Sequence, residues 1–432
     1  MNAKTLYVLV AVAALALGTA VAINFANRPE SEVADQAKPL LAQLHGHVND
    51  VSAITLIGAD NKVLATLQRG SDGWSVAEKS GYPADLAKIR EFLLKLDAAT
   101  VVEQKTSNPK LYAELGVSDV KDKDAKGILV EIAGLAQPLR LIVGNYNGAG
   151  GGGTFVRHDG DAQSLLVKGN LSVDKNIADW EKRDLTDIAA SRLQSVTLTS
   201  PDGNVLKASK EQSGDANFKI ADVPKGRETS SEFAANALGS TLAGLKADDV
   251  FPAKDASPGP RVYKARYAAF DGLVIDVAGW EKDGKDYAQL AAKLDSVQAD
   301  ANVASAQTRA KADYEAAVLA ANKKLADEKS TTDKQAEANA TAASEVAKPL
   351  AVSDAARDRQ DRLEALNREV ESLNKSFSGW TFVLPSFKFA DITKTMDDML
   401  KPLEQKKPDA KSAGNANGKP VAAKPGVKAG GK

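Results

Sequence analysis

One stretch of this chain is written twice, and that repetition limits the folds open to it. Leu193–Glu211, LQSVTLTSPDGNVLKASKE, lines up with Val51–Arg69, VSAITLIGADNKVLATLQR. In the first copy, Val51–Gly58 and Lys62–Gly70 read as short strands with GADN as turn chemistry between them. Gly73–Glu78 adds a third strand, and Asn217–Val223 takes its place in the second copy. Pro83–Leu96 then switches to helical spacing, with Leu86, Ile89, Leu93 and Leu96 on one face and Pro83 suited to the start. A helix near 230–245 is its counterpart. Gly127–Ala133, Leu139–Gly144, Gly153–Gly160 and Ser164–Gly169 form a strand meander, and Asn176–Ile188 reads as helix. Gly272–Leu290 parallels Gly127–Gly144. A period of about 120 residues is too long for a solenoid. The expected fold is α+β: two tandem, mostly antiparallel sheet-and-helix units, the first over 49–190 and the second beginning over 191–290.

The second unit is interrupted. From 291 to 377 the chain is rich in Ala, Lys, Glu, Asp and Gln and has no strand alternation. Leu363, Leu366, Val370, Leu373 and Phe377 step by three and four, as do Leu290, Leu294, Val297, Ala301 and Ala304. This is the spacing of a coiled-coil seam and predicts an inserted α-helical hairpin, broken near STTDKQ and Pro349. Each arm would reach ~50 Å if ~35 residues are helical. Residues 378–403 then close the second unit, with GWTFVL expected to match GTFVR of the first copy and Asp391–Leu403 as a final helix. Residues 404–432 are a Lys/Pro/Gly/Ala tail expected to be disordered. From 405 on it carries seven lysines against Asp409. Such a tail is a solvated one or a weak contact for anionic lipid.

The N-terminus reports location. Lys4 precedes the uncharged run Leu6–Phe25, and ~20 helical residues span a ~30 Å hydrocarbon core. Residues 1–27 therefore read as a transmembrane anchor and 28–48 as a polar stalk. The rival is a signal peptide cut after Ala22, since Ala20-Val21-Ala22 fits a cleavage site. The apolar run continues through Ile23 and Phe25 past that point, which favours the retained anchor. With Lys4 inside, the N-terminus is cytoplasmic and the bulk lies across the membrane.

Composition removes whole classes of chemistry. The chain has no cysteine, so disulfides, thiolate metal sites, thiol nucleophiles and lipoprotein acylation are absent. A net charge of −1 supplies no field for nucleic acid. GAGGGG, residues 148–153, matches G-x-G-x-x-G letter for letter, but a strand follows where a nucleotide site needs a helix N-terminus, so it reads as a hairpin loop. His45 and His47 stand near Asp50 without a third well-spaced metal ligand, and His158 sits at a strand end without partners for a triad. The acid pairs Asp248-Asp249 and Asp397-Asp398 read as solvated faces. Trp74, Trp180, Trp280 and Trp380 read as core anchors, with an exposed shelf for glycans as the minority alternative. No catalytic, cofactor-binding or metal-ligating residue is assigned.

The anchor, DGW (Asp72–Trp74), ELGV (Glu114–Val117), GTFVR (Gly153–Arg157), DWEKRDLTDI (Asp179–Ile188) and the terminal GWTFVLPSFKFADITKTMDDMLKP together resemble the DUF4340 family. The resemblance covers residues 50–190 fully and the second copy more loosely. It implies a bacterial envelope protein, often encoded beside ABC-transporter components of the gliding-motility type, with no established enzymatic activity and no accepted site residues. The expected function is therefore a non-enzymatic, single-pass inner-membrane accessory or scaffold protein with a periplasmic body, its partners the membrane and components of an ABC-type transport complex. The alternative is a periplasmic binding module for envelope glycan or another extracellular ligand.

Overall fold

The computed structural model describes residues 38–148, 152–328 and 346–402. The apolar run 6–25, the tail 404–432 and residues 28–37 of the proposed stalk lie outside the described residues. Among the described residues no helix is long and apolar enough to cross a membrane.

The chain is α+β, built on two large antiparallel sheets. The first unit contributes β1 (Ala53–Ile57), β2 (Val63–Gly70), β3 (Gly73–Val76), β4 (Tyr82–Pro83), helix α1 (Leu86–Asp97), β5 (Val101–Gln104), the one-turn helix α2 (Tyr112–Leu115), β6 (Ile128–Ala133), β7 (Leu139–Asn147), β8 (Gly153–His158) and β9 (Ser164–Lys168). Their order in the sheet is β4-β3-β2-β1-β6-β7-β8-β9-β5. Asp85 caps α1 by accepting from the Lys88 backbone N–H. Ile89, Phe92, Leu93 and Leu96 of that helix pack on the inward residues Ile54, Leu56, Val130, Ile132, Leu139 and Leu141 of the sheet. Strict alternation sends those strand residues to one face. Leu40, Leu41 and Leu44, which lie in the stretch read as stalk, are buried in this same core.

Asn176–Ile188, expected as helix, is instead a short 3-10 turn over Ile177–Trp180 followed by β10 (Asp184–Thr186). Leu185 and Thr186 are buried as β10 pairs with β14, which lies in the second unit. The second unit contributes β11 (Leu193–Thr199), β12 (Val205–Ser209), β13 (Lys219–Ile220), α3 (Asn236–Gly239), β14 (Leu245–Lys246), β15 (Asp249–Pro252), β16 (Tyr263–Ala269), β17 (Leu273–Lys282) and β18 (Lys285–Leu294). Then come the insertion helices α4 (Ser296–Glu328), α5 (Leu350–Ser353) and α6 (Ala355–Phe377), and finally β19 (Trp380–Val383), α7 (Ser386–Thr393) and α8 (Met396–Met399). The sheet order is β13-β12-β11-β16-β17-β18-β19-β15. Position for position it repeats the first sheet without the β4 edge.

That order shifts the expected alignment by one strand. β16 holds the place of β6, and β17, not β18, holds that of β7. The strand β16 escapes a sequence reading because its inward residues are Ala265, Tyr267 and Ala269, alternating with Lys264 and Arg266. It follows that GWTFVL, as β19, corresponds to β9, while GTFVR corresponds to β18. The insertion thus replaces the short β8–β9 link.

The stripe read as a coiled-coil seam is a sheet-facing stripe. Val370, Leu373 and Phe377 of α6 pack into the second core. Asn374 brackets the β18 backbone, accepting from Ala292 N–H and donating to Ala292 C=O, both at 2.8 Å. Arg192 clamps Glu369 of α6 with two bonds of 2.6 and 2.8 Å. Leu290 and Leu294 belong to strand β18, and Val297, Ala301 and Ala304 of α4 face solvent while Ala299 and Val303 are buried. The start of α4 runs antiparallel to α6, joined by Arg359–Asp300 at 2.7 Å and by Gln307 donating to Ala355 C=O and Asp358.

Candidate functional site

The two sheets differ most on the faces turned away from their main cores. In the first, residues 105–127 between β5 and β6 fold back as a cover. Tyr112, Val117 and Val120 of this cover are buried against Leu129 and Ile142, with Ile57, Leu115 and Phe155 around them. Arg157 of β8, almost wholly buried, fastens the cover. It donates to the carbonyls of Val117 (2.9 Å) and Asp161 (2.8 Å), pairs with Asp119 and stacks on Tyr112. A guanidinium fork with every arm used is a rigid anchor. Its charge and hydrogen bond hold the Asp119 carboxyl below the usual carboxylate range. Gly144 of β7 is required by the closeness of the cover, since a Cβ there would run into the carbonyl of Leu115.

In the second sheet the corresponding connection is residues 253–262, less than half as long. It reaches only the β19 end of the face, where Ala256 is buried and accepts from Thr381 at 3.2 Å. The rest is an open groove of about 570 Å³. Cross-strand register lays its side chains out in two rows. Thr197, Arg266, Asp276 and Ala291 face one another across β11, β16, β17 and β18, and Thr199, Lys264, Ala278 and Gln289 form the adjacent row.

By register these rows correspond to Thr55, Glu131 and Arg140, and to Ile57, Leu129, Ile142 and Arg157, of the first sheet. The apolar row that the cover buries has become small and polar, and Gln289 stands where Arg157 would fasten a cover. Trp280 takes the place of Gly144 and stacks on Tyr287 at 5.9 Å, filling the space a close cover needs. The charges also invert. Arg140 sits between Glu131 and Asp159 in the first unit, whereas Asp276 sits between Arg266 (3.8 Å) and Lys293 (2.8 Å) in the second. Lys264 adds a further cation where the first unit has Leu129.

A second cluster sits at the junction of the units. Lys79 pairs with Glu181 (3.2 Å) and with Asp249, Lys285 reaches Asp249 at 3.5 Å, and both lysines lie over the Phe251 ring. Burial pushes the Glu181 carboxyl up, with Lys79 opposing it. Burial also works against the Lys79 ammonium, but the hydrogen bond to Asp249 and the charge of Glu181 outweigh it and raise its pKa. Tyr82 crosses the same junction, donating to Lys182 C=O at 2.9 Å and meeting Trp380 edge-on at 4.9 Å. These paired charges join the two units.

The residues singled out in the sequence are dispersed. The glycine run lies between β7 and β8, which pair antiparallel, with residues 149–151 outside the described residues. His45 faces Asp97 at 3.3 Å, His47 faces Asp50 at 2.7 Å, and His158 ends β8. Among the described residues no group of three His, Cys, Asp or Glu could hold a metal ion. Asp248 pairs with Arg183, Asp249 belongs to the junction, Asp397 meets Arg227 at 3.4 Å, and Asp398 caps α8 with Thr395. Trp180 and Trp280 are buried, and Trp74 and Trp380 are half-buried against the two cores. They form no exposed shelf. The groove escaped the sequence reading, and only the unequal lengths of 105–127 and 253–262 could have signalled it.

Residues 74–261 match the family model of a domain of unknown function, DUF4340. Over this stretch the chain is similar to DUF4340. The matched stretch runs from β3 to the connection before β16, so the DUF4340 match includes the covering segment of the first unit and the short connection of the second. No curated protein and no solved structure matches the chain.

Proposed function

We propose that this chain is a non-enzymatic accessory or scaffold protein, held at the bacterial inner membrane by segment 6–25, with a periplasmic body that binds a protein of an ABC-type transport complex. The observation that carries the binding role is the open face of the second sheet. The same face of the first sheet is closed by polypeptide, so the architecture has a built-in place for a polypeptide layer and one of its two places is vacant. The matched junction charges favour a scaffold over a catalyst. The anchor rests on the apolar run Leu6–Phe25 behind Lys4, and the transporter link rests on the DUF4340 resemblance.

The insertion offers a second surface, the exposed side of α4 around Val297, Ala301 and Ala304. It serves as a docking arm or as a spacer. Because α6 is part of the second core, the arm is tested by trimming residues 312–347 to a short linker, not by removing the whole insertion.

The direct test is purification of the tagged full chain from native membranes after mild crosslinking. Recovery of a transport component supports the proposal. Retention on peptidoglycan with no transport component recovered contradicts it and supports a glycan-binding module.

A further inference from the structure

We infer that the groove on the outer face of the second sheet receives an extended, acidic polypeptide segment of a partner protein. The inference rests on the reading of the chain as a partner-binding accessory and specifies the chemistry of what it binds.

Three observations converge on that occupant. The first is the internal precedent: on the first sheet the same face is occupied by polypeptide, held by apolar contacts and by a carboxylate, Asp119, on Arg157. The second is charge. Lys264, Arg266 and Lys293 surround the groove against one acid, Asp276, which Arg266 and Lys293 already share. Lys264 has no acidic partner among the described residues, so an incoming carboxylate finds a free cation. Rim charges of this kind set partner choice and encounter rate.

The third is shape. Ala278 and Ala291 leave a shallow apolar floor, and Thr197, Thr199 and Gln289 supply hydroxyl and amide groups beside it. This suits small apolar side chains with backbone polar groups between them. A glycan is less suited, since no aromatic ring lines the groove to stack on a sugar. Two of the chain's own segments are unsuited too. The connection 253–262 is committed to the β19 end, and the C-terminal tail carries the same sign of charge as the groove.

The experiment is selection of a phage-displayed peptide library on the purified full chain, followed by fluorescence anisotropy with the selected peptides. Enriched peptides are expected to carry Asp or Glu beside small apolar residues. Their affinity is expected to fall at least about tenfold in Lys264→Glu/Arg266→Glu and in Ala278→Trp, and to weaken with salt. Both variants change solvent-facing positions, and unchanged melting temperatures confirm that they fold.

Enrichment without acidic residues, or equal binding to the variants, overturns the inference. So does binding of an oligogalacturonate that the same variants abolish while no peptide is enriched. If peptides fail but native membranes still yield a transport component, only this inference falls. If acidic peptides occupy the groove but no transport component is recovered, only the transport reading falls.

Discussion

The two sheets share one strand order and differ in what lies on their outer faces. The first is closed by its own chain, anchored by a buried arginine and made possible by a glycine that lets the cover approach. The second lacks all three devices: the connection is short, the arginine is Gln289 and the glycine is Trp280. The two sheets share one backbone ladder, but the outer rows of the second are small, polar and cationic where those of the first are packed.

The sharpest way to break this comparison is at the anchor. Arg157→Ala should destabilise the first unit by about 3 kcal/mol or more, because it leaves the carbonyls of Val117 and Asp161 unpaired and removes the packing on Tyr112. Urea denaturation reads the loss, and hydrogen exchange should rise across 109–122. The matching change Gln289→Ala should cost less than about 1 kcal/mol. Equal effects would mean that the two faces are not differently used.

Next in size is the packed row. Ile142→Ala, at a fully buried position, should cost about 3 kcal/mol. The inverse change at the corresponding half-exposed position, Ala278→Ile, should stay within about 0.5 kcal/mol. Thermal melts compare the pair directly.

The junction gives a pH-dependent test. Lys79→Met leaves Glu181 and Asp249 without their shared cation and should cost about 2–3 kcal/mol near neutral pH. Glu181 has its carboxyl pKa raised by burial in the folded state. The folded state then binds that proton more tightly than the unfolded chain, so stability recovers as pH falls and protonation removes the buried charge. A deficit that stays constant or grows from pH 7.5 to pH 5 would contradict the assignment. The smallest expected effect is that of trimming residues 312–347, which should move the melting temperature little because Val370, Leu373 and Phe377 stay in place.

Much of the first unit was legible from residues alone. Alternation in Val51–Gly70 and the helical spacing of Leu86–Leu96 each serve one buried face, and pattern follows packing wherever one face is buried. The second unit was harder to read where its inward residues are small. β16, YKARYAA, alternates in burial, but its inward Ala265 and Ala269 carry little apolar signal. The stripe on α6 was visible, but spacing by three and four does not say whether a helix or a sheet receives it. Asn176–Ile188 misled because Trp180, Leu185 and Ile188 are buried in different places, the first in the first core and the other two in the second. The groove is a property of two connections of unequal length, and no local motif encodes it.

The central claim is that one outer face is closed and the other open. A chain without cysteine allows it to be tested with single thiols. Ala278→Cys and Ile142→Cys, each introduced alone into the full chain, are compared for their rate of maleimide labelling. In the purified protein the thiol at 278 should label fast and that at 142 only as slowly as the cover opens, and in native membranes labelling at 278 should slow as a partner occupies the groove. Equal rates at the two positions in the purified protein would contradict the account.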